Sequence, residues 1–222
     1  TWCSPTWART CSACRAATDG TTMTRSWLYV PGDRPDRIAK ALATDAAAVI
    51  IDLEDAVKPE ARPAARAHAT ASLRGECRPQ RWVRLNAGDE GRRDLDALAA
   101  TTVRPDGVVL AKCDAPQWIA EVASALPSVG IAPLIETAVA LRDLDAILTT
   151  PRVTVCHLGE VDLLADLGGR LPGGQALIDH ARTRLVIASA AAGVGAPIGG
   201  VHLQVDDLAA LGTREAQGRA QD

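Results

Sequence analysis

The 222-residue sequence predicts an α/β fold, a TIM (β/α)8-type barrel that is truncated before its eighth strand. Short apolar runs alternate with longer Ala- and Leu-rich helical stretches, a pattern typical of parallel βαβ units. Apolar residues make up 47% of the sequence and charged residues 23%, which is a globular balance. No Gly-rich phosphate loop of the GxGxxG or GxxxxGK type follows a predicted strand, which disfavours the alternative of an open doubly wound sheet.

Seven strands are predicted, each a short apolar run that ends at a turn or a charged residue. The first run stops at Pro31-Gly32, and a helix begins at Asp33-Arg34-Pro35 because proline suits the first helical turn. The sequence ends too soon after the seventh run for an eighth unit, so both outer strands would have open apolar edges that favour association and low stability. The predicted strands span residues 26–30, 48–53, 82–86, 107–111, 130–135, 153–158 and 198–203.

Composition and charge limit the function classes. The barrel domain is predicted over residues 23–222, and residues 1–22, which lack a periodic apolar pattern, are expected to be a disordered or wrongly assigned extension. The net charge of −3 predicts no basic surface for nucleic acid. No apolar stretch reaches the roughly 20 residues that a membrane span requires. Cysteines scattered singly in the barrel region indicate reduced thiols and a cytoplasmic protein.

Charged residues stand at or near the ends of otherwise apolar predicted strands. Such residues are costly to bury unless they are paired or bind a ligand. Because the carboxyl ends of parallel strands meet at one face of a barrel, these residues predict a common site there. In chain order the residues are Asp52, Glu54, Asp55, Arg84, Lys112, Glu136, Glu160 and Asp162.

The types of these residues predict the chemistry of the site. Glu136 and Asp162 supply hard oxygen ligands that suit Mg²⁺. Glu54 and Asp55 are expected to accept hydrogen bonds from metal-bound waters. Arg84 offers a planar fork for a carboxylate, and a divalent metal beside an arginine suits a 2-oxo acid or a hydroxy acid. No recurring Cys/His spacing favours zinc.

Several segments of the sequence resemble the HpcH/HpaI aldolase and citrate lyase β-subunit-like family of CoA-ester lyases. The resemblance covers residues 24–212, with its motifs in the expected order. The matching segments are 25–41 (RSWLYVPGDRPDRIAKA), 49–57 (VIIDLEDAV), 83–88 (VRLNAG), 110–112, 134–138 (LIETA), 158–168 (LGEVDLLADLG) and 196–211 (APIGGVHLQVDDLAAL).

The resemblance implies a retro-Claisen cleavage, or its reverse, of a 3-hydroxyacyl-CoA such as citryl-, malyl- or citramalyl-CoA. It implies that Mg²⁺ is the cofactor, bound by Glu136 and Asp162, and that Arg84 holds the carboxylate of oxaloacetate, glyoxylate or pyruvate. It also implies a homo-oligomer, a trimer or a hexamer. The residues that correspond to contacts with the CoA thioester and its phosphates are Tyr29, Arg34 and Lys40.

The sequence departs from the family pattern in two places. Gly199 stands where members usually carry Asp. The last barrel strand and the C-terminal lid, which supplies the catalytic acid/base in several relatives, are expected to be absent. Two alternatives therefore stay open: a class II aldolase or thioesterase on the same barrel, and a truncated inactive or regulatory remnant of the family.

Overall fold

The computed structural model describes residues 26–170 and 173–200. The chain divides into two compact units. Of the described residues, the first unit comprises 26–111 and 121–130, and the second comprises 112–120 and those from 131 to 200. The predicted extension, residues 1–22, and the end of the predicted seventh strand lie outside the described residues.

Four parallel strands form the sheet of the first unit, each hydrogen-bonded to the next in chain order. The register places Asp52 at the end of β2 directly beside Arg84 in β3. The strands are β1 (Trp27–Pro31), β2 (Ala48–Asp52), β3 (Gln80–Leu85) and β4 (Gly107–Leu110). The helices are α1 (Pro35–Leu42), α2 (Arg62–Ser72), α3 (Gly88–Ala99) and α4 (Pro116–Ala125). A 3-10 turn at Pro59–Ala61 precedes α2, and the residues of α4 are divided between the two units.

Burial explains why these segments form these elements. All residues of β2 and β4 are buried, as expected of parallel strands whose two faces are both covered. Helix α1 begins with a proline at its first position and buries Ile38 and Ala41. Each fully buried Val, Leu or Ile side chain stabilises the fold by about 1.5–3 kcal/mol.

The second unit contains a shorter parallel pair of strands. Leu134 and Ile135 of β5 pair with His157 and Leu158 of β6. Helix α7 begins two residues after Leu158, so its first turn follows directly from the strand end. The elements are β5 (Gly130–Ile135), α5 (Ala138–Arg142), α6 (Leu144–Leu148), β6 (His157–Leu158), α7 (Glu160–Asp166) and α8 (Gln175–Ala192).

The first five predicted strands each overlap an observed strand, and the alternation of strands and helices confirms the α/β class. The sixth is shorter than predicted: it is a strand only over His157–Leu158, and Val153 forms an isolated parallel bridge with Ile131. Of the predicted seventh strand, Ile198 forms a parallel bridge, and residues 201–203 lie outside the described residues. Within the described ranges, no helix is long and apolar enough to cross a membrane.

Candidate active site

Arg84 is the centre of a cluster of charged side chains in the first unit. Its Nε and Nη2 donate to the two carboxylate oxygens of Asp52, each at 2.6 Å. Its Nη1 lies 3.1 Å from Glu54 Oε2 and donates to Asp55 Oδ2 at 3.2 Å. The structure thus brings three predicted strand-end carboxylates to one guanidinium. The expected role of Glu54 and Asp55 toward metal-bound water stays a prediction.

Asp52 also shapes the loop that carries the other two acids. Its Oδ1 accepts the backbone amide of Glu54 at 2.9 Å, and its Oδ2 accepts that of Ala56 at 3.0 Å. With the two bonds from Arg84, each carboxylate oxygen therefore accepts two donors. A buried carboxylate with this set of donors is fully satisfied, so Asp52 holds the loop and Arg84 together.

The environment of Arg84 keeps it cationic. Burial acts to lower the pKa of Arg84, but the hydrogen bonds and charge of Asp52 and the charge of Glu54 outweigh it, and the pKa is raised. The Tyr29 ring centroid lies 5.2 Å from Arg84 Cζ, a cation–π distance. The family resemblance implied that Tyr29 contacts CoA. The structure places the Tyr29 ring beside Arg84, the residue expected to bind the substrate carboxylate.

A buried polar network that sequence reasoning missed lies behind this cluster. Asp94 is fully buried; its Oδ2 accepts the backbone and side-chain amides of Asn86 at 2.9 and 2.7 Å, and its Oδ1 accepts Arg66 at 2.9 Å. Asn86 Nδ2 also donates to the carbonyl of Leu53 at 2.7 Å, next to Glu54. The network therefore anchors the loop after β2. The only sequence signal for this network is an acidic residue, Asp94, at a position of α3 that proves to be buried.

Arg34 and Lys40, the predicted CoA-phosphate contacts, are both exposed, one just before α1 and one within it. Arg34 precedes the helix and pairs with Asp36 at 3.3 Å, while Lys40 lies in the last turn. The pair is exposed, so it is weak and both cations are accessible from solvent. Their binding role stays a prediction.

Glu136 is the buried acid of the second unit, 2% exposed at the end of β5. Its Oε1 accepts the backbone amide of Lys112 at 2.7 Å. Lys112 adopts a φ of 47°, a left-handed conformation that is rare outside glycine and directs this amide. A backbone amide orients a carboxylate without neutralising its charge.

Gly159 separates Glu136 from the first turn of α7. A Cβ at this position would lie 2.6 Å from the Cβ of Glu136 and 2.8 Å from its Oε2. The absence of a side chain therefore allows the carboxylate to lie against the start of the helix. Asp162, the other predicted ligand, is in that first turn and is exposed, and Glu160 in the same turn pairs with Arg182 at 2.7 Å.

The donors of the second unit fit a hard cation. Glu136 and Asp162 offer carboxylate oxygens from neighbouring chain elements, and Mg²⁺ is usually held by one or two carboxylates with waters and substrate oxygens. Among residues 26–170 and 173–200, no group of three or more His, Cys, Asp and Glu side chains is arranged to hold a metal. Water or substrate would therefore supply the other ligands.

Comparison with known proteins then decides the family. The family model described as HpcH/HpaI aldolase/citrate lyase matches residues 25–220. The chain belongs to this family. It is 35% identical over 206 residues to a citrate lyase subunit beta-like protein of Mycobacterium tuberculosis, an alignment that covers 83% of this chain and 67% of that protein. The predicted CoA-ester lyase class is confirmed at the level of the family.

Solved structures of a mycobacterial family member confirm the barrel-type fold. A citrate lyase beta subunit of M. tuberculosis, complexed with oxaloacetate and magnesium, matches with a TM-score of 0.76 and 31% identity, over 88% of this chain and 86% of that chain. The CitE protein of M. tuberculosis, in complex with magnesium, acetoacetate and coenzyme A, matches with a TM-score of 0.73 and 31% identity, over 85% and 69% of the two chains.

A (3S)-malyl-CoA thioesterase of Cereibacter sphaeroides is 33% identical to this chain over 150 residues. That alignment covers 66% of this chain and 52% of the thioesterase. Family membership alone therefore does not determine which bond of a CoA ester is cleaved.

Proposed function

We propose that this chain is a Mg²⁺-dependent carbon–carbon lyase that cleaves a 3-hydroxyacyl-CoA into an acyl-CoA and a 2-oxo acid, or catalyses the reverse. Citryl-, malyl- and citramalyl-CoA are the candidate substrates. The observation that carries the proposal is the buried Glu136 carboxylate, which Lys112 orients and Gly159 accommodates beside the turn that contains Asp162. Family membership supports it.

Glu136 and Asp162 would hold the metal. A bound divalent cation polarises the oxygen that is an alkoxide on one side of the reaction and a carbonyl on the other. Glu136 meets this role because its backbone partner fixes one oxygen in place while the side chain stays buried. Asp162 contributes a second negative charge from an exposed position that water can reach.

Arg84 would bind the carboxylate of the 2-oxo acid. Its positive charge is secured by the surrounding acids, and a planar guanidinium fixes the orientation of a carboxylate. Orientation matters because the bond that breaks must be aligned with the carbonyl that forms. Glu54 and Asp55 lie at the Nη1 side, where they can also orient water.

The CoA portion would bind along α1. Arg34 precedes α1 and Lys40 lies in its last turn, so the two cations stand at opposite ends of the helix, an arrangement compatible with separate phosphate groups. Both are exposed, as contacts to an extended anionic ligand require. A homotrimer or homohexamer in the cytoplasm belongs to the same proposal, and sedimentation velocity tests the assembly.

A thioesterase is the second candidate, and the 33% identity to the malyl-CoA thioesterase supports it. The same metal and arginine could bind the same hydroxyacyl-CoA, with water attacking the thioester carbonyl instead. The two activities differ in their products: a lyase yields acyl-CoA and a 2-oxo acid, whereas a thioesterase yields free CoA and a hydroxy acid.

The test is product analysis by mass spectrometry. The chain is incubated with Mg²⁺ and, separately, with malyl-, citramalyl- and citryl-CoA, with EDTA and Glu136→Gln samples as controls. Acyl-CoA formed only in the presence of Mg²⁺ and Glu136 supports the lyase. Free CoA with a hydroxy acid indicates the thioesterase, and no turnover of any thioester contradicts both.

A further inference from the structure

We infer that two neighbouring aspartates tune Arg84 in opposite directions: Asp52 positions it for a substrate carboxylate, and Asp55 competes with that carboxylate. The inference rests on the proposed function, in which Arg84 binds the carboxylate of a 2-oxo acid. It adds that the loop after β2 determines the affinity for this group.

The contacts of Asp52 are those of a positioning residue. It is 2% exposed, is the register neighbour of Arg84, and takes both Nε and Nη2 at 2.6 Å. Two backbone amides occupy its remaining acceptor positions. Asp52 therefore cannot move without breaking four hydrogen bonds, and it permanently occupies the Nε–Nη2 edge of the guanidinium.

The contact of Asp55 is different in kind. Its side chain is 56% exposed and meets Arg84 only at Nη1, at 3.2 Å. Such a partly exposed ion pair contributes little, about 0–1 kcal/mol. When Asp55 turns into solvent its own carboxylate is hydrated, and Arg84 Nη1 loses this hydrogen bond but keeps the Glu54 carboxylate at 3.1 Å. A substrate carboxylate would replace the lost acceptor.

The guanidinium itself shows where a substrate would enter. Asp52 covers one edge of the guanidinium, and Arg84 Cζ lies 5.2 Å from the centroid of the Tyr29 ring, a cation–π distance. A guanidinium has five N–H donors, and those not directed at Asp52 belong to Nη1 and to the second hydrogen of Nη2. A carboxylate can bind this outer edge with two hydrogen bonds when Asp55 releases Nη1. Asp55 thus competes for Nη1, whereas Glu54 Oε2, 3.1 Å from the same nitrogen, is buried and stays beside it.

The test measures pyruvate binding to the full chain by isothermal titration calorimetry in saturating Mg²⁺. We expect Asp55→Asn to bind pyruvate about two- to fivefold more tightly, because an exposed competing ion pair is removed. We expect Asp52→Asn to bind it at least about tenfold more weakly, because a buried partner of the arginine is lost. Asp89→Asn, which removes an exposed acid of the same unit, is the control and should bind like the wild type.

A double-mutant cycle separates this mechanism from a general effect on folding. In the Arg84→Lys background, the changes in pyruvate affinity caused by Asp52→Asn and Asp55→Asn should both shrink toward zero. Changes that arise from loop stability alone would persist in that background, and this result would overturn the inference. Circular dichroism checks that each variant is folded. If Asp52→Asn unfolds, the Asp55→Asn variant still tests the inference. Tighter pyruvate binding by that variant supports the inference, and unchanged or weaker binding overturns it.

The outcomes also distinguish this inference from the proposed function. If the wild type binds pyruvate and Asp55→Asn binds it no more tightly, only the inference is overturned. If neither protein binds pyruvate, the role of Arg84 in the proposed function is contradicted, and the inference with it.

Discussion

Gly159 lies where a single methyl group should disturb the proposed metal ligand. An alanine Cβ there would approach the Cβ of Glu136 to 2.6 Å and its Oε2 to 2.8 Å, distances that real Cβ contacts essentially never show. Because the near atoms include the Cβ of Glu136, rotation of the carboxylate alone cannot relieve the overlap. The Gly159→Ala variant must therefore shift Glu136 or the start of α7.

The size of the effect follows from the cost of overpacking. Inserting a methyl group into a packed position costs about 1–3 kcal/mol. If this strain opposes the metal-bound geometry, Mg²⁺ affinity falls by about 5- to 150-fold, since each 1.4 kcal/mol is a factor of ten. The bond from the Lys112 amide to Glu136 weakens at the same time.

The assay is calorimetric titration of Mg²⁺ into the full chain, with a thermal melt of each variant. Gly199→Ala is the matched control in the same unit, because a Cβ there meets nothing within 4 Å. Wild-type Mg²⁺ affinity in a folded Gly159→Ala protein would refute Glu136 as the ligand. An equal loss in both variants would refute the argument from packing.

Three further predictions follow from the described contacts. Glu136→Gln keeps the size of the side chain and removes its charge, so titration should show at least about tenfold weaker Mg²⁺ binding. Asp94→Ala leaves its buried amide and guanidinium donors without an acceptor, so urea denaturation should show a loss of about 3–5 kcal/mol. Burial raises the pKa of Cys113 to about 12 and that of Cys156 to about 11. At pH 8 both thiols should therefore resist iodoacetamide in the folded protein and react once urea unfolds it. Peptide mass spectrometry measures the alkylation of each cysteine.

The strands could be predicted from the sequence because burial acts on every residue of a parallel strand. The run Ala48–Asp52 is apolar up to its last residue, and Gly130–Ile135 is apolar throughout, so both stand out without knowledge of the fold. The predicted run from Val153 to Leu158 also contains mostly apolar residues, but only His157–Leu158 forms a strand, and Val153 makes an isolated bridge with Ile131. Such a difference depends on contacts distant in sequence, which no local pattern contains.

The candidate site could be predicted as a set of residue types, but not as a set of pairs. The strand ends indicated Asp52, Glu54, Asp55 and Arg84 as candidates, and the structure brings these side chains together. Which acid holds Arg84 depends on strand register, and only the observed pairing of Asp52 with Arg84 reveals it. A one-residue shift of register would have turned one of them to the other face of the sheet.

The two groups of acids differ in what their contacts do to their charge, and this difference explains the assignment of the metal. The acids around Arg84 share a guanidinium, whose positive charge would repel a divalent cation. Glu136 is oriented by a backbone amide, which leaves its formal charge in place, and Asp162 follows in an exposed helical turn. A metal needs ligands that retain negative charge, and a substrate carboxylate needs a cation held in a fixed orientation. The contacts of the first unit therefore suit the carboxylate of a 2-oxo acid, and those of the second suit Mg²⁺.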